Sequence, residues 1–293
     1  MRILMSGTNG MIGSVVAPYL ASQGHEVVRL VRCEPGPGEV RWEPDLGVID
    51  AGGIEGFDGV VHVASKSWPM RWTRKAKSEI RENRLRCNTL LSEALAGCTA
   101  KPRVLVFASG MGIYPSSGDQ VLTEDSPLGT DFLATLQRDG EAATAPASAA
   151  GIRVVPLRIP AVIGGVIIRQ NVGRMGDGRQ WSSWISRDEL ASIIQHALVT
   201  ESVTGPVNPV SPNPVRNADY ATTLSHVLGK RPGLPIPAFA LRLMIGEMAD
   251  AIILASRKMV PQKLLDTGYQ FRFPSLQQAL VHELEADSGS PAR

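Results

Sequence analysis

At 293 residues the chain is long enough for two domains of about 150 residues each, or for one large α/β unit with an appendage. Hydrophobic residues make up 43% and charged residues 20%, which argues against a fibrous, collagenous or disordered chain, and thirty basic against 28 acidic residues leave a net charge of +2, too small for a surface that tracks nucleic-acid phosphates. Three cysteines, Cys33, Cys87 and Cys98, show no C-x-x-C spacing and suggest neither a disulfide framework nor a structural zinc site; they fit a reducing cytoplasm, and the apolar stretch at residues 3–5 is too short for a signal peptide.

Residues 2–6 form an apolar run closed by a glycine-rich turn, and residues 11–21 carry apolar side chains at helical spacing, so the chain opens as strand, loop, helix. Gly24 and His25 end that helix, and residues 26–32 alternate as a second strand before the turn-rich Pro35-Gly36-Pro37-Gly38. Further along, residues 59–64, 103–108 and 153–157 read as strands, and 78–96 and 141–150 as helices. This alternation predicts an α/β fold of Rossmann type, a doubly wound parallel sheet with right-handed connections. Past Gly164 come a loop rich in Gly, Arg and Trp, a helix over 188–199 and a proline-rich stretch at 206–214. The expected division is a nucleotide-binding Rossmann domain over 1–164 and a smaller substrate-side and C-terminal region over 165–293, whose helix 188–199 is placed to return to the sheet. Residues 237–256 are apolar but interrupted by Arg242, Glu247 and Asp250, which predicts a packed amphipathic helix rather than a membrane span. Residues 287–293 read as a loose tail.

Gly7, Gly10 and Gly13 make a G-x-x-G-x-x-G pattern between the first strand and the first helix. Glycines suit that place because one takes a tight turn, one lets backbone amides approach a pyrophosphate, and one lets helix pack on strand. Asn9, Met11 and Ile12 share the loop, and the helix N-terminus behind it favours an anion. At the end of the second strand, where an acid would hold the ribose 2′-hydroxyl of NAD, stands Arg32, and a cation there pairs with the 2′-phosphate of NADP. NADP is therefore the expected cofactor, with Glu34 keeping NAD open as the lesser alternative.

Further motifs extend along the chain: Gly7-Thr8-Asn9-Gly10-Met11-Ile12-Gly13, Arg71-Trp72-Thr73 with Lys77, Ile80 and Arg84, Leu122-Thr123-Glu124-Asp125-Ser126-Pro127, Gly178-Arg179-Gln180-Trp181, Gly205-Pro206-Val207-Asn208, Gly246-Glu247-Met248 and Pro261-Gln262-Lys263-Leu264-Leu265. In these residues the chain resembles the extended short-chain dehydrogenase/reductases, and more narrowly their atypical branch of NAD(P)-dependent epimerase/dehydratase-like "epimerase family" proteins with a distinctive C-terminal domain. The resemblance implies an NADP-binding fold in which Arg32, Val63, Ala64, Glu79, Arg84 and Val162 meet the cofactor.

A short-chain reductase normally pairs a tyrosine acid/base with a lysine four residues later, whose charge lowers the tyrosine pKa. None of Tyr19, Tyr114, Tyr220 and Tyr269 is followed by lysine at that spacing. Aligned on Glu141, the two positions hold Leu133 and Gln137, which cannot transfer a proton in that way; the resemblance implies the same lack in the atypical branch. Near the expected nicotinamide end stand Ser109, which could polarise a carbonyl, and Tyr114, which could donate a proton; the alternative is that both serve local packing. Arg71, Trp72, Arg179, Gln180, Trp181 and Trp184 are candidates for a substrate cleft or for packing between the two regions. The segment 164–178 is shorter than its counterpart in the resembling family, and Ser186-Arg187 departs from the family pattern, so no substrate preference carries over. No G-x-S-x-G is present, and the five histidines are isolated, which gives hydrolase and metal chemistry no support.

The leading expectation is an NADP(H)-dependent oxidoreductase or epimerase acting on a small carbonyl or hydroxyl compound in the cytoplasm, without nucleic-acid or membrane partners and with a homodimer left open. The alternatives are a non-redox isomerase or cyclase and a catalytically silent NADP(H)-binding protein on the same scaffold.

Overall fold

In a computed structural model of the chain, which describes residues 1–64, 71–164, 170 and 173–289, β1 (Arg2–Ser6) lies inside a seven-stranded sheet. Ile3 and Met5 join one hydrophobic cluster and Leu4 the other, because successive side chains of a strand point to opposite faces. Both faces are covered, which explains why this strand is apolar throughout rather than alternating.

After β1 the chain forms α1 (Gly13–Ser22), β2 (Glu26–Val31), β3 (Glu39–Glu43) and β4 (Val48–Ile49), all three strands lying to one side of β1. It then crosses to the other side with β5 (Gly59–His62), α2 (Arg74–Gly97) and β6 (Val104–Gly110). β7 (Val121–Leu122), α3 (Phe132–Ala142) and α4 (Ala145–Ala149) precede the last sheet strand, β8 (Arg153–Ile159). The order is β4-β3-β2-β1-β5-β6-β8, parallel except for the antiparallel β3–β4 pair. Strand order reverses between β1 and β5, and the carboxyl ends at that switch point are where open α/β sheets bind ligands.

Three two-stranded ladders follow: β9 (Ala161–Ile163) with β11 (Trp184–Ser186), β10 (Trp181–Ser182) with β12 (Val215–Arg216), and β7 with β13 (Lys258–Met259). The helices of this half are α5 (Arg187–Val199), α6 (Asn217–Val227), α7 (Ala238–Ile245), α8 (Gln262–Asp266) and α9 (Leu276–Gly289). α5 starts at Ser186, whose hydroxyl accepts from the Glu189 amide at 3.2 Å. It sends Leu190, Ala191, Ile193, Ile194 and Ala197 into the cluster that holds Ile3, Met5 and Val16 of α1. The opposite layer packs Leu91 and Leu95 of α2 and Ala147 of α4 on Leu4, Leu105 and Phe107. The helix expected over 188–199 thus completes a layer of the Rossmann core.

Several boundaries differ from the sequence expectation. α2 begins at Arg74, four residues early, with the Thr73 hydroxyl accepting from the Ala76 amide at 3.1 Å. β6 runs on to Gly110, so Ser109 is a strand residue. The helix expected over 141–150 is instead α3 followed by the short α4; α3 is capped by Asp131, which accepts from the Ala134 amide at 2.8 Å. Gly140 lies within α3. It sits inside the helix because a Cβ there would lie 2.9 Å from Cδ of Arg84. β3 was not anticipated, although Val40 and Trp42 turn inward in proper alternation.

Residues 237–256 are not one packed helix. α7 stops at Gly246, whose φ of 62° favours glycine, and a π-helical turn follows over Ala249–Ile253. Phe239, Leu243 and Met244 on α7 are exposed. Arg71 donates to the Leu243 and Met244 carbonyls and Lys77 pairs with Glu247, tying the end of α7 to the start of α2. α9 continues to Gly289, past the point where a loose tail was expected. Among the described residues no helix is long and apolar enough to cross a membrane.

Candidate functional site

Ser6 and His62 stand side by side at the carboxyl ends of β1 and β5, and the glycine loop leaves the sheet between them. Gly7 adopts φ 77°, and a Cβ on it would lie 2.6 Å from the Ala64 nitrogen. A Cβ on Gly13 would lie 2.0 Å from the Gly7 carbonyl oxygen, which leaves no room for a side chain. The Gly10 amide donates to that same carbonyl at 3.0 Å. The loop is thereby folded flat against the strand ends. α1 opens with no side-chain cap and no acid in its first turn, although the Ser14 and Val15 amides donate to the Gly10 and Ile12 carbonyls; the positive end of its dipole lies at the cleft lined by residues 10–13.

That cleft encloses about 560 Å³ between loop residues 7–13, residues 30–33 at the end of β2, Trp42 and Val63-Ala64. The arrangement fits a dinucleotide: a helix N-terminus without a side-chain cap for the pyrophosphate, backbone stripped of Cβ atoms for close approach, and apolar walls from Leu30, Val31 and Trp42. Arg32 is exposed at the β2 end and forms the wall between the cleft and a smaller recess of about 200 Å³ shared with Asp45, Glu79, Glu82, Asn83 and Arg86. Cys33 and Trp42 were not singled out from sequence; Trp42 was legible only through the alternation of residues 39–43.

The other residues expected at the cofactor are dispersed. Val63 and Ala64 line the cleft, whereas Glu79 lies behind Arg32 in the recess. The Arg84 guanidinium reaches the Ala108 carbonyl at 3.3 Å, beside the end of β6, and its burial brings its pKa down to about 10. Val162 pairs with Ile185 and packs on the core.

His62 is buried beneath the loop. Its Nδ1 is 2.6 Å from the Ser6 hydroxyl, and the edge of its ring meets Trp42 with centroids 5.6 Å apart. Burial, assisted by the positive charge of Arg84, brings its pKa down to about 4, so the ring is neutral at pH 7.

Beyond the cleft, Leu133, Gln137 and Glu141 recur at four-residue spacing along α3 and face the end of β6 and the turn after it. Leu133 packs against Gly112, the Gln137 amide lies against Gly110, and Glu141 accepts from the Ser109 hydroxyl at 2.6 Å. Glu141 also takes two bonds from Arg158, at 3.1 and 3.2 Å. Arg158 in turn donates to the Tyr114 hydroxyl at 2.7 Å, and Tyr114 donates to Asn208 at 2.9 Å.

Of the two readings left open for Tyr114, proton donor or packing, this chain of bonds supports packing. The residue is wholly buried, its proton is committed to Asn208, and burial pushes its pKa up to about 12 against the opposing charge of Arg158. It anchors the Rossmann core to the segment around Asn208 and does not face the cleft. Ser109 is at the β6 edge, as expected, with its hydroxyl held by Glu141.

The residues considered for a substrate cleft do not converge. Trp184 and Gln180 are buried and bond to the Asn213, Met175 and Ile253 carbonyls. Trp181 donates to Asp119 at 2.7 Å and lies beneath the cations of Arg216 and Lys258. Trp72 meets the Phe132 ring edge-on, and Arg71 binds the end of α7. Seven of the fifteen residues of the segment 164–178 that departs in length from the family pattern, residues 165–169, 171 and 172, lie outside the described residues.

Residues 3–208 match the model of the NAD dependent epimerase/dehydratase family. The chain belongs to that family. Residues 236–283 match a second model, a domain of unknown function (DUF1731), which covers α7 through most of α9. The human epimerase family protein SDR39U1 is 33% identical over 299 residues, spanning 96% of this chain and 98% of the human protein. An epimerase family protein of Mycobacterium leprae is 34% identical over 292 residues, spanning 96% of this chain and 94% of the relative. The crystal structure of human SDR39U1 (isoform 2) with NADPH superposes with a TM-score of 0.89 at 32% identity, covering 97% of this chain and 99% of that one. A nucleoside-diphosphate sugar epimerase of Corynebacterium glutamicum superposes at 0.81 with 34% identity, covering 97% of this chain and 58% of the longer protein. The central sheet and flanking helices of this epimerase-family chain are thus shared with its relatives, and so is the C-terminal region.

Two stability outcomes follow. Tyr114→Phe removes one partner each from buried Arg158 and Asn208, so it lowers unfolding free energy by about 1–3 kcal/mol in urea titrations; an unchanged midpoint would contradict the network. For His62 the native pKa, about 4, lies below the unfolded value of 6.5. The unfolded chain therefore binds the extra proton between those values, and stability declines as pH falls from 6.5 toward 4. His62→Asn flattens that decline in urea midpoints measured across the window, whereas an equal slope in both proteins would show that His62 is not the titrating group.

Proposed function

We propose that this protein binds NADP(H) in the cleft above β1, β2 and β5 and acts as an oxidoreductase or epimerase on a small carbonyl or hydroxyl compound. The observation that carries the reading is the pairing of a pyrophosphate cradle at residues 7–13 with an exposed cation, Arg32, at the β2 end. Family membership and the NADPH named with the human relative support the same choice of cofactor.

In this reading residues 7–13 hold the pyrophosphate through backbone amides, Arg32 meets the 2′-phosphate, and Leu30, Val31 and Trp42 cover the adenine half. The nicotinamide supplies hydride transfer when bound. Ser109 is the side chain of this chain closest in kind to a carbonyl-polarising group. Its hydroxyl hydrogen points at Glu141, so it can polarise a substrate oxygen only by exchanging that bond.

A second reading is favoured by a specific observation. Tyr114 is wholly buried, and Leu133 and Gln137, the residues that alignment on Glu141 sets against the usual tyrosine and lysine, are buried too. A protein that holds NADP(H) without a proton relay is consistent with that arrangement, as is a non-redox isomerase using the pocket alone.

The test is a titration with NADPH and NADH followed by quenching of tryptophan fluorescence, for which Trp42 is well placed. NADPH is expected to bind more tightly than NADH, and Arg32→Ala to weaken NADPH about tenfold or more while leaving NADH nearly unchanged. Equal affinity for the two nucleotides, insensitive to Arg32, would remove the 2′-phosphate assignment. Nicotinamide absorbance during a carbonyl-compound screen then separates the oxidoreductase from the silent binder.

A further inference from the structure

Glu79, Glu82, Asn83 and Arg86 recur at three- and four-residue spacing along α2, so they share one face of that helix. That face closes the recess of about 200 Å³ whose other walls are Arg32 and Asp45. Asp45 lies in a 3₁₀ turn over Pro44–Leu46, three residues after Trp42 of the cofactor cleft, and Arg32 lines both cavities. Cys87 reports the same convergence from beneath. Burial pushes its thiol up, and the charges of Arg32, Asp45 and Arg86 all act on it, which gathers the three side chains around one point.

The two arginines differ in how they are held. Among the described residues Arg32 has no ion-pair partner, whereas Arg86 donates from Nη2 to Oδ1 of Asp45 at 2.5 Å. The side chains of that pair are 43% and 56% exposed, and an ion pair so open to water contributes little, so its partners exchange readily. A phosphate accepts charge-assisted, bidentate bonds from guanidinium groups, which are stronger. A phosphate monoester carries close to two negative charges near pH 7. While Arg86 and Asp45 cancel each other, Arg32 alone stands against Glu79 and Glu82, and its single charge leaves a 2′-phosphate undercompensated. Arg86, across the same recess, is the cation that can make up the difference.

We propose that Arg86 is the second guanidinium on the 2′-phosphate of NADP(H), held by Asp45 in the free protein and released to the phosphate when the nucleotide enters. Asp45 then tunes cofactor choice: its hold on Arg86 subtracts from NADPH affinity and leaves NADH, which has no group to reach Arg86, untouched. The inference rests on the proposed NADP(H) reading of the cleft and adds to it a pair of specificity-determining residues beyond Arg32.

The test measures dissociation constants for NADPH and NADH by calorimetry in wild type, Arg86→Gln, Asp45→Asn and Glu82→Gln, with thermal midpoints to show that each variant is folded. All three substituted side chains are exposed, so stability should change little. Glu82 faces the same recess but accepts from the Ser78 hydroxyl at 2.6 Å rather than from Arg86, so Glu82→Gln reports the effect of net charge alone. Arg86→Gln is expected to weaken NADPH about fivefold to tenfold, and Asp45→Asn to tighten it about threefold. Glu82→Gln is expected to change NADPH by less than about twofold, and NADH is expected to stay within about twofold of wild type in every variant. NADPH binding unchanged by Arg86→Gln overturns the proposal, as does an equal loss for NADH. Equal gains from Asp45→Asn and Glu82→Gln also overturn it, because net charge would then suffice. If the wild type shows no preference for NADPH, or keeps that preference in Arg32→Ala, the NADP(H) reading itself fails and takes this inference with it. A wild type that prefers NADPH through Arg32 but is indifferent to Arg86 removes this inference alone.

Discussion

The close approach of Gly13 to the Gly7 carbonyl is the constraint on which the cleft depends. With 2.0 Å between that oxygen and the place a Cβ would occupy, the start of α1 can lie flat on the end of β1 only if the residue is glycine. Gly7 makes the same demand on the other side, where the chain leaves β5 at Ala64. These two contacts aim the uncapped end of α1 across the carboxyl edge of the sheet. They also set the width of the space between loop and β2, in which Arg32 and Trp42 then find their roles. Beneath the loop, neutral His62 fills the layer with a hydrogen bond to Ser6 and an edge contact to Trp42, so the floor of the cleft is polar but uncharged.

A second constraint organises the other end. Beside the end of β6, α3 presents Leu133 and Gln137 to Gly112 and Gly110, and the charges next to them are those of the Glu141–Arg158 pair. Such a pair costs desolvation and is tolerated because its remaining valences are met by Ser109, Tyr114 and the Glu124 carbonyl. The network continues through Asn208, whose amide donates to the Glu124 carboxylate at 3.0 Å and whose side chain donates to the Val260 carbonyl at 3.2 Å. The tyrosine that stood out in the sequence thus belongs to the joint between the Rossmann core and the segment leading to α8. The charges of this network hold the two regions together, leaving at the end of β6 a hydroxyl and a neutral amide.

Much of the fold was legible because the buried strands are short, apolar and separated by helical periodicity, and because glycine in the first loop has a mechanism attached to it. α3 was legible only at its last residues, since a helix was expected from 141 whereas α3 runs from Phe132 to Ala142 with Gly140 inside it, against Arg84. Tyr114 stayed open for a related reason: residue type and proximity to a strand end say nothing of which layer a ring enters, and only the partners Arg158 and Asn208, distant in sequence, reveal it. Gln137 could be located from sequence by its spacing from Glu141. That its buried carboxamide oxygen has no hydrogen-bond partner among the described residues could not, because the lack of a partner is a property of everything packed around it.

The most direct test of the central claim is a crystal structure of the protein grown with NADPH. The pyrophosphate is expected against the amides of residues 7–13, the 2′-phosphate within hydrogen-bonding distance of Arg32, and the nicotinamide half over the end of β6. A nucleotide lying in the reverse direction, or bound away from the glycine loop, would contradict the account.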